Sequence, residues 1–498
     1  MEQAMKRTII LFLLLSCCCL HAYPQNNGDE IVIGKYRKLH SEVTNEDRTL
    51  LVWLPRSYNE SNLSYPVIYL LYGQNTSAYL LPTITACDML AASGVVPEMI
   101  IVGVASAERY RDYSSISDGF INNTVRFFSE ELFPFIESNY RTLDYRIVIG
   151  PQAGAVFSFY TLISHPDLFK ASILENPFVG QNREILFNMA DKFFNKNLTF
   201  NRFLYIREEK NNNPLHVETA SKFAEMMKTR KPNDFRFCFT LEEPSGYFVS
   251  PVPAKEGLLC LFGHFAFPDT LKVENVNDII DFYKKANKEY DADFPLPEHI
   301  LTMESDKLLS RRKYSDVSVL LEYMLSLYPR SLNALMRMGD LNRILGDYET
   351  SIKYYDEFLK IMPMDAISIR NRRDNIEKYV NESLVYILEK DIHSLGIDKA
   401  ARNFKRAKAS KDNKLTYTEN DLNTLGYTLL NRQMNAESIK VFRLALEIFP
   451  ESANLYDSIG EAFMRSGDKK NAILNYEKSL QLNPANDNAK EILNKLKN

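Results

Sequence analysis

Cysteine, histidine and tryptophan are scarce in this sequence, and each scarcity removes a class of chemistry. The 498 residues include only 6 Cys, 7 His and 1 Trp. Cys17, Cys18 and Cys19 fall in an N-terminal leader, which leaves Cys87, Cys238 and Cys260. An odd, sparse set of that kind does not read as a disulfide framework. No Cys/His spacing resembles a zinc site, so no metal and no other cofactor is expected. A charge excess is missing too. Lys+Arg 60 stand against Asp+Glu 64, a formal net charge of -4, and no longer charged stretch reads as single-signed. That balance argues against a nucleic-acid partner. Past the leader, no apolar run approaches the roughly 20 residues of a transmembrane helix.

What is present begins with the leader. Lys6 and Arg7 precede a short apolar stretch over residues 8–15, the pattern of an export signal spanning residues 1–22. Two outcomes stay open. Cleavage after Ala22 would release a soluble chain. Alternatively, "LLSC" over 14–17 resembles a bacterial lipobox, with Cys17 lipidated as an anchor. Both imply an exported protein of the bacterial periplasm or cell envelope.

The remainder is too long for one core. Residues 28–268 alternate strand-like and helix-like signals. Short apolar runs at 48–55, 66–73, 99–105, 145–150, 171–176 and 202–208 suit strands buried on both faces, with helical stretches such as 124–140 and 155–165 between them. This predicts an α/β domain with a mostly parallel sheet and helices on both faces. Residues 269–300 read as a linker ending in "DFPLPEH".

Residues 301–498 read as all-helical and carry an internal period. Pro329 and Pro363 are 34 residues apart, as are Pro450 and Pro484. Gly339, Gly346, Ser351, Tyr355 and Phe358 before Pro363 match Gly460, Gly467, Ala472, Tyr476 and Ser479 before Pro484. Gly426, Ser438, Phe442 and Ala445 fit ahead of Pro450. The period is that of tetratricopeptide repeats, in which small residues let paired helices approach and an aromatic fills the gap. Residues 364–420 are helical but lack the signature.

The strand at 145–150 meets a helix through Gly150-Pro151-Gln152-Ala153-Gly154. In hydrolases of α/β type, a G-x-S-x-G turn in this context presents a nucleophilic serine. Both glycines are here and the serine is not. No G-x-S-x-G occurs elsewhere in the chain.

The runs "RTLLVWLP", "YPVIYLLYG", "ERYRDY", "FFSEELFPFIESNY", "YRIVIG" and "SHPDLFKASILENP", with the final "NLYDSIGEAFMRSGDKKNAILNYEKSLQLNP", resemble the esterase D and enterochelin-esterase-like group in versions with tetratricopeptide tails. The resemblance implies an α/β hydrolase fold and a carboxylic-ester hydrolase ancestry. It places the serine on Gln152, whose amide cannot form an acyl-enzyme. It also implies oxyanion donors at the Ala153 amide and near Gly73-Gln74, an acid at Glu208 or Glu209, and a histidine near Ser245 or Gly246, where none stands. Glu208 and Glu209 read equally as a solvated charged loop beside Lys210.

Other chemistry-bearing residues read as structural. His165 reads as a helix-end cap, His216 as solvent-facing and His264 as too far along the chain to serve. Cys87 and Cys260 read as buried apolar residues in helices, and Trp53 as strand packing. Arg109, Arg111 and Asp112 form either a loop-fixing ion-pair set or a ligand contact. Three functions follow: a non-catalytic pocket able to hold an ester or carbonyl compound, an active ester hydrolase using unconventional residues, or an adaptor whose repeat groove binds a peptide or protein.

Overall fold

The computed structural model describes residues 33–178, 180, 182–243, 252–363, 366–410 and 414–497. The expected leader with Cys17, and positions Ser245 and Gly246, lie outside the described residues. Contacts divide the chain into two units, one spanning Gly28–Ser331 and one containing Leu332–Asn498.

In the first unit, β1 (Lys35–Ser41), β2 (Glu46–Trp53), β3 (Tyr65–Leu71), β4 (Ile100–Val104), β5 (Thr142–Pro151), β6 (Ala171–Glu175), β7 (Phe203–Glu209) and β8 (Arg236–Glu242) make one sheet. Their order is β1-β2-β4-β3-β5-β6-β7-β8. From β4 to β8 all neighbours are parallel, while β1 and β2 join antiparallel at one edge. β3 and β4 are buried at every position, as expected for strands covered on both faces. One cover is the helical stretch Phe120–Arg126, Phe127–Leu132 and Phe133–Asn139, whose Phe133 ring sits 4.9 Å from Tyr69 of β3. On the helix Val252–Leu261, Gly257 permits close packing, because a Cβ there would lie 2.6 Å from Ile173 of β6.

Two sequence expectations change here. The linker expected over 269–300 contains the helix Val276–Tyr290, started by a capping box at Asn275 and Asp278. Its Tyr290 ring packs 5.5 Å from Phe262 and 5.6 Å from Phe294. The helices Glu298–Ser310 and Tyr314–Leu327 cluster with this unit as well, although the sequence reading opens the repeat domain at residue 301. The second change is a disulfide. Cys238 of β8 and Cys260 of the adjoining helix are bonded, at a sequence separation of 22. Cys260 is therefore a bridge residue rather than an apolar filler, since sheet and helix bring two cysteines together that sequence spacing does not pair. Cys87 is buried and free, as its helical setting suggests.

The second unit is helical. Leu332–Leu345 pairs with Tyr348–Ile361, Glu419–Asn431 with Asn435–Ile448, and Ala453–Arg465 with Lys469–Leu482. The signature residues meet across each pair. A Cβ on Gly339 would lie 2.3 Å from the Tyr355 ring, one on Gly426 2.4 Å from Phe442, and one on Gly460 3.2 Å from Tyr476. Ser351 Oγ donates to the Gly339 carbonyl and Ser438 Oγ to that of Gly426, each at 2.7 Å. The interval without the signature forms the helices Ile367–Glu382, Leu384–Leu395 and Ile397–Ala409. Residues 399–408 carry Lys399, Arg402, Lys405, Arg406 and Lys408 with no acid, so here the mixed charge expected from sequence does not hold.

Candidate functional site

β5 ends at Pro151, and the helix Ala153–Ser164 starts one residue later. So abrupt a turn leaves the tip residue little choice. Gln152 has φ 51 and ψ -115, a conformation that costs a non-glycine residue about 1–3 kcal/mol. The flanking glycines make it possible. A Cβ on Gly150 would stand 2.5 Å from the Gly154 carbonyl oxygen, and one on Gly154 3.0 Å from Leu71. The Gln152 amide donates to the Glu175 carbonyl at 2.9 Å, which ties the tip to β6, and its side chain is exposed.

The Ala153 amide, first in its helix, faces the Tyr72 hydroxyl, and the Gln74 amide donates to no described backbone carbonyl. Gly73 differs from its sequence assignment, because its amide donates to the Val104 carbonyl at 3.1 Å and extends the ladder. The Gln74 side chain is occupied too, pairing with both backbone groups of Ser106. The Gln74 amide therefore remains for an oxyanion or carbonyl oxygen, and the Ala153 amide would serve one only by exchanging the Tyr72 hydroxyl for it.

Beside them stands an aromatic wall that the sequence reading did not identify. Tyr72 closes β3 with φ 67, and its ring lies 6.0 Å from Tyr79 and 6.1 Å from Tyr113. Arg109 stacks 5.3 Å over Tyr72 and 5.4 Å over Tyr110. Burial pushes the Tyr72 phenol up, while Arg109 and the amides of Ala153 and Gly154 oppose that shift. Arg111 and Asp112 do a different job. Asp112 pairs with Arg48 at 2.5 Å and with Arg111 at 2.8 Å, and Arg111 reaches Glu46 at 2.9 Å. That set fixes the loop, whereas Arg109 faces the tyrosines.

The carboxyl ends of β6, β7 and β8 carry the acidic wall. Arg207, only 1% exposed, pairs with Glu175 at 2.9 Å, Glu209 at 3.2 Å and Glu242 at 2.7 Å. The register that sets Glu175 against Arg207 and Glu209 against Glu242 assembles this set, so sequence spacing cannot reveal it. Glu208 points the other way along the pleat. It is buried, not solvated as the charged-loop reading has it, with one oxygen accepting from Asn212 at 2.7 Å and the other without a partner. Burial pushes its carboxyl up to about 7.

No described histidine serves this site. His165 caps its helix, His216 accepts from the Gly180 amide at 3.1 Å, and exposed His264 lies 3.8 Å from Glu289. Trp53 is a strand residue opposite Ile101. Among the described residues, no cluster of His, Cys, Asp and Glu could hold a metal ion, and no helix is long and apolar enough to cross a membrane.

An eight-stranded, mostly parallel sheet with a G-x-x-x-G turn after β5 defines an α/β hydrolase-like fold. Residues 41–214 match the family described as "Putative esterase", and residues 332–363 and 453–486 match tetratricopeptide repeats. The chain thus carries an esterase-like domain followed by tetratricopeptide repeats. A Bacillus subtilis relative described as "Uncharacterized protein YjcH" is 30% identical over 153 residues, 29% of this chain and 62% of that protein. The chain thus spans less than two thirds of that relative's length. Among solved structures, an IroE-like serine hydrolase from Shewanella oneidensis superposes with a TM-score of 0.51 at 20% identity, over 58% of this chain and 98% of its own. That likeness concerns the fold alone. An uncharacterised protein from Capnocytophaga ochracea reaches a TM-score of 0.46 at 16% identity, over 69% of this chain and 99% of its own.

Proposed function

We propose that this chain is an exported, non-catalytic relative of carboxylic-ester hydrolases, in which a pocket module is joined to helical repeats that bind a peptide or protein. The observation that carries this reading is Gln152, seated at the tip of a turn whose backbone is built to present a nucleophile. A carboxamide there cannot attack an ester. The chain has no histidine between His216 and His264 to act as base. The Gln74 amide, with that of Ala153 once it exchanges the Tyr72 hydroxyl, could still hold the oxygen of an ester, ketone or carboxylate between the tyrosine wall and the acidic wall. The Lys6-Arg7 leader supports a periplasmic or envelope location, with Cys17 lipidation as the anchored variant. The Cys238–Cys260 bridge is consistent with an oxidising compartment.

Purified protein would be mixed with 4-nitrophenyl acetate and butyrate and, separately, with a fluorophosphonate probe. Hydrolysis no faster than that of Gln152→Ala, and no covalent labelling, are expected. Turnover well above that variant, or a labelled side chain, overturns the proposal. Gln152→Ser alone is expected to stay inactive, because no base is in place.

A further inference from the structure

The helix Ile397–Ala409 belongs to the interval without repeat signature, and its surface is unlike the rest of the tail. Ile397, Ala400 and Phe404 are buried and form its core face. Lys399, Arg402, Lys405, Arg406 and Lys408 are all exposed. In a chain of net charge -4, this is a concentrated positive field.

The helix lies beside Asn435–Ile448, while its partner Leu384–Leu395 lies beside Glu419–Asn431. First helices thus stack on first helices and second on second. The space between Ile397–Ala409 and Asn435–Ile448 faces away from the side that first helices line in such stacks. That space is a groove of about 340 Å³ lined by Lys405, Lys408, Ala409, Leu444, Glu447 and Ile448. Its floor is apolar, and its rim carries Lys408 and the Lys405–Glu447 pair. Two ion pairs brace the helices, Lys405 to Glu447 at 2.5 Å and Lys440 to Asp398 at 2.6 Å. Lys408 stands 5.6 Å over the Tyr417 ring. Lys399, Arg402 and Arg406 make no ion pair with any described residue.

We propose that this outer groove docks an acidic segment of a partner protein, an apolar side chain entering between Ala409, Leu444 and Ile448 and carboxylates lying over Lys399, Arg402, Arg406 and Lys408. Charge complementarity selects the partner's sign, and the apolar floor selects a peptide over a free anion. A membrane surface fits less well, because the helix keeps its apolar face in the core and has none to insert. This site shares no residue with the turn at Gln152.

The test uses the full-length protein and a fluorescein-labelled decapeptide of aspartate and glutamate around a central leucine, read by anisotropy. Saturable binding that weakens steeply between 50 and 300 mM salt is expected. The double variant Arg402→Glu/Arg406→Glu should lose at least about tenfold in affinity. Ala409→Trp, which fills the groove, should weaken the leucine peptide more than a peptide with serine in its place. Circular dichroism checks that these surface changes leave the fold intact. No salt-sensitive binding, binding indifferent to charge reversal, equal effects of Ala409→Trp on both peptides, or binding only to phosphatidylglycerol vesicles would each overturn the proposal.

Discussion

The turn at Gln152 and the repeat pairs of the tail both depend on glycines at close approach, yet they have kept different things. In the tail, each glycine faces the aromatic that needs it: Gly339 meets Tyr355, Gly426 meets Phe442 and Gly460 meets Tyr476. Backbone and side chain form one packing unit there. At the turn, Gly150 answers to the Gly154 backbone and Ser158, and Gly154 to Leu71 and Pro151, none of them the residue presented at the tip. A glycine therefore reports how near two pieces of chain must come, and says nothing about what chemistry is displayed between them. An intact G-x-x-x-G frame is evidence for the fold and none for turnover.

The comparison can be broken most directly at Gly150. Gly150→Ala forces a methyl to 2.5 Å from a backbone oxygen that cannot rotate away. It should cost more than about 3 kcal/mol by chemical denaturation. A cost under 1 kcal/mol would show that the turn relaxes and that its frame is not a constraint.

In the tail the obstacle is a side chain, so the damage should be smaller and repairable. Gly339→Ala should lose about 2 kcal/mol, and Tyr355→Leu should recover part of it in a double-mutant cycle. Gly460→Ala, whose Cβ would stand 3.2 Å from Tyr476, should cost less than Gly339→Ala. Equal costs at the two sites would remove the link to distance.

Glu208, which faces away from the acidic wall, sharpens the contrast through pH. Burial disfavours its charge and pushes its carboxyl up to about 7 from the ordinary 4.5. Its contribution to stability is therefore full below pH 4.5 and is lost as pH rises toward 7. Glu208→Gln should leave stability nearly unchanged relative to the parent at pH 4 and gain on the order of 2 kcal/mol at pH 8. A gain independent of pH would assign the effect to packing instead.

The smallest effect is expected at the tip itself. Gln152→Gly relieves the positive φ at the price of a looser unfolded chain, for a net gain of about 1 kcal/mol in thermal or denaturant unfolding. A loss would mean that the Gln152 side chain makes contacts of its own.

Sequence and structure agree where a local rule repeats or punctuates. The 34-residue period was legible because each glycine–aromatic contact recurs at one offset, and the turn was legible because two glycines bracket it. The missed elements share a dependence on distant chain. β1 is half exposed and reads "KYRKLHS", too polar to stand out, and β8 gains its place only by pairing with β7. The helix Val276–Tyr290 hides its apolar stripe among charged residues. Arg207 collects carboxylates from three strands, Tyr72 meets Tyr113 across a loop, and Cys238 finds Cys260 through the sheet edge. None of these distances is written in sequence spacing.

The seam between Ser331 and Leu332 matters for anyone who takes the protein apart. Ile300 lies against Gly94, the Tyr328 hydroxyl donates to the Leu296 carbonyl at 2.7 Å, and the Arg330 amide reaches the Glu60 carbonyl. A tail fragment begun at residue 300 would cut into the helix Glu298–Ser310 and carry off Tyr314–Leu327, both of which belong to the first unit. Such a fragment would lose the Tyr328 and Arg330 hydrogen bonds, so what it captures as bait is no guide to what the intact chain meets. Bait begun at Leu332 starts at the boundary of the second unit.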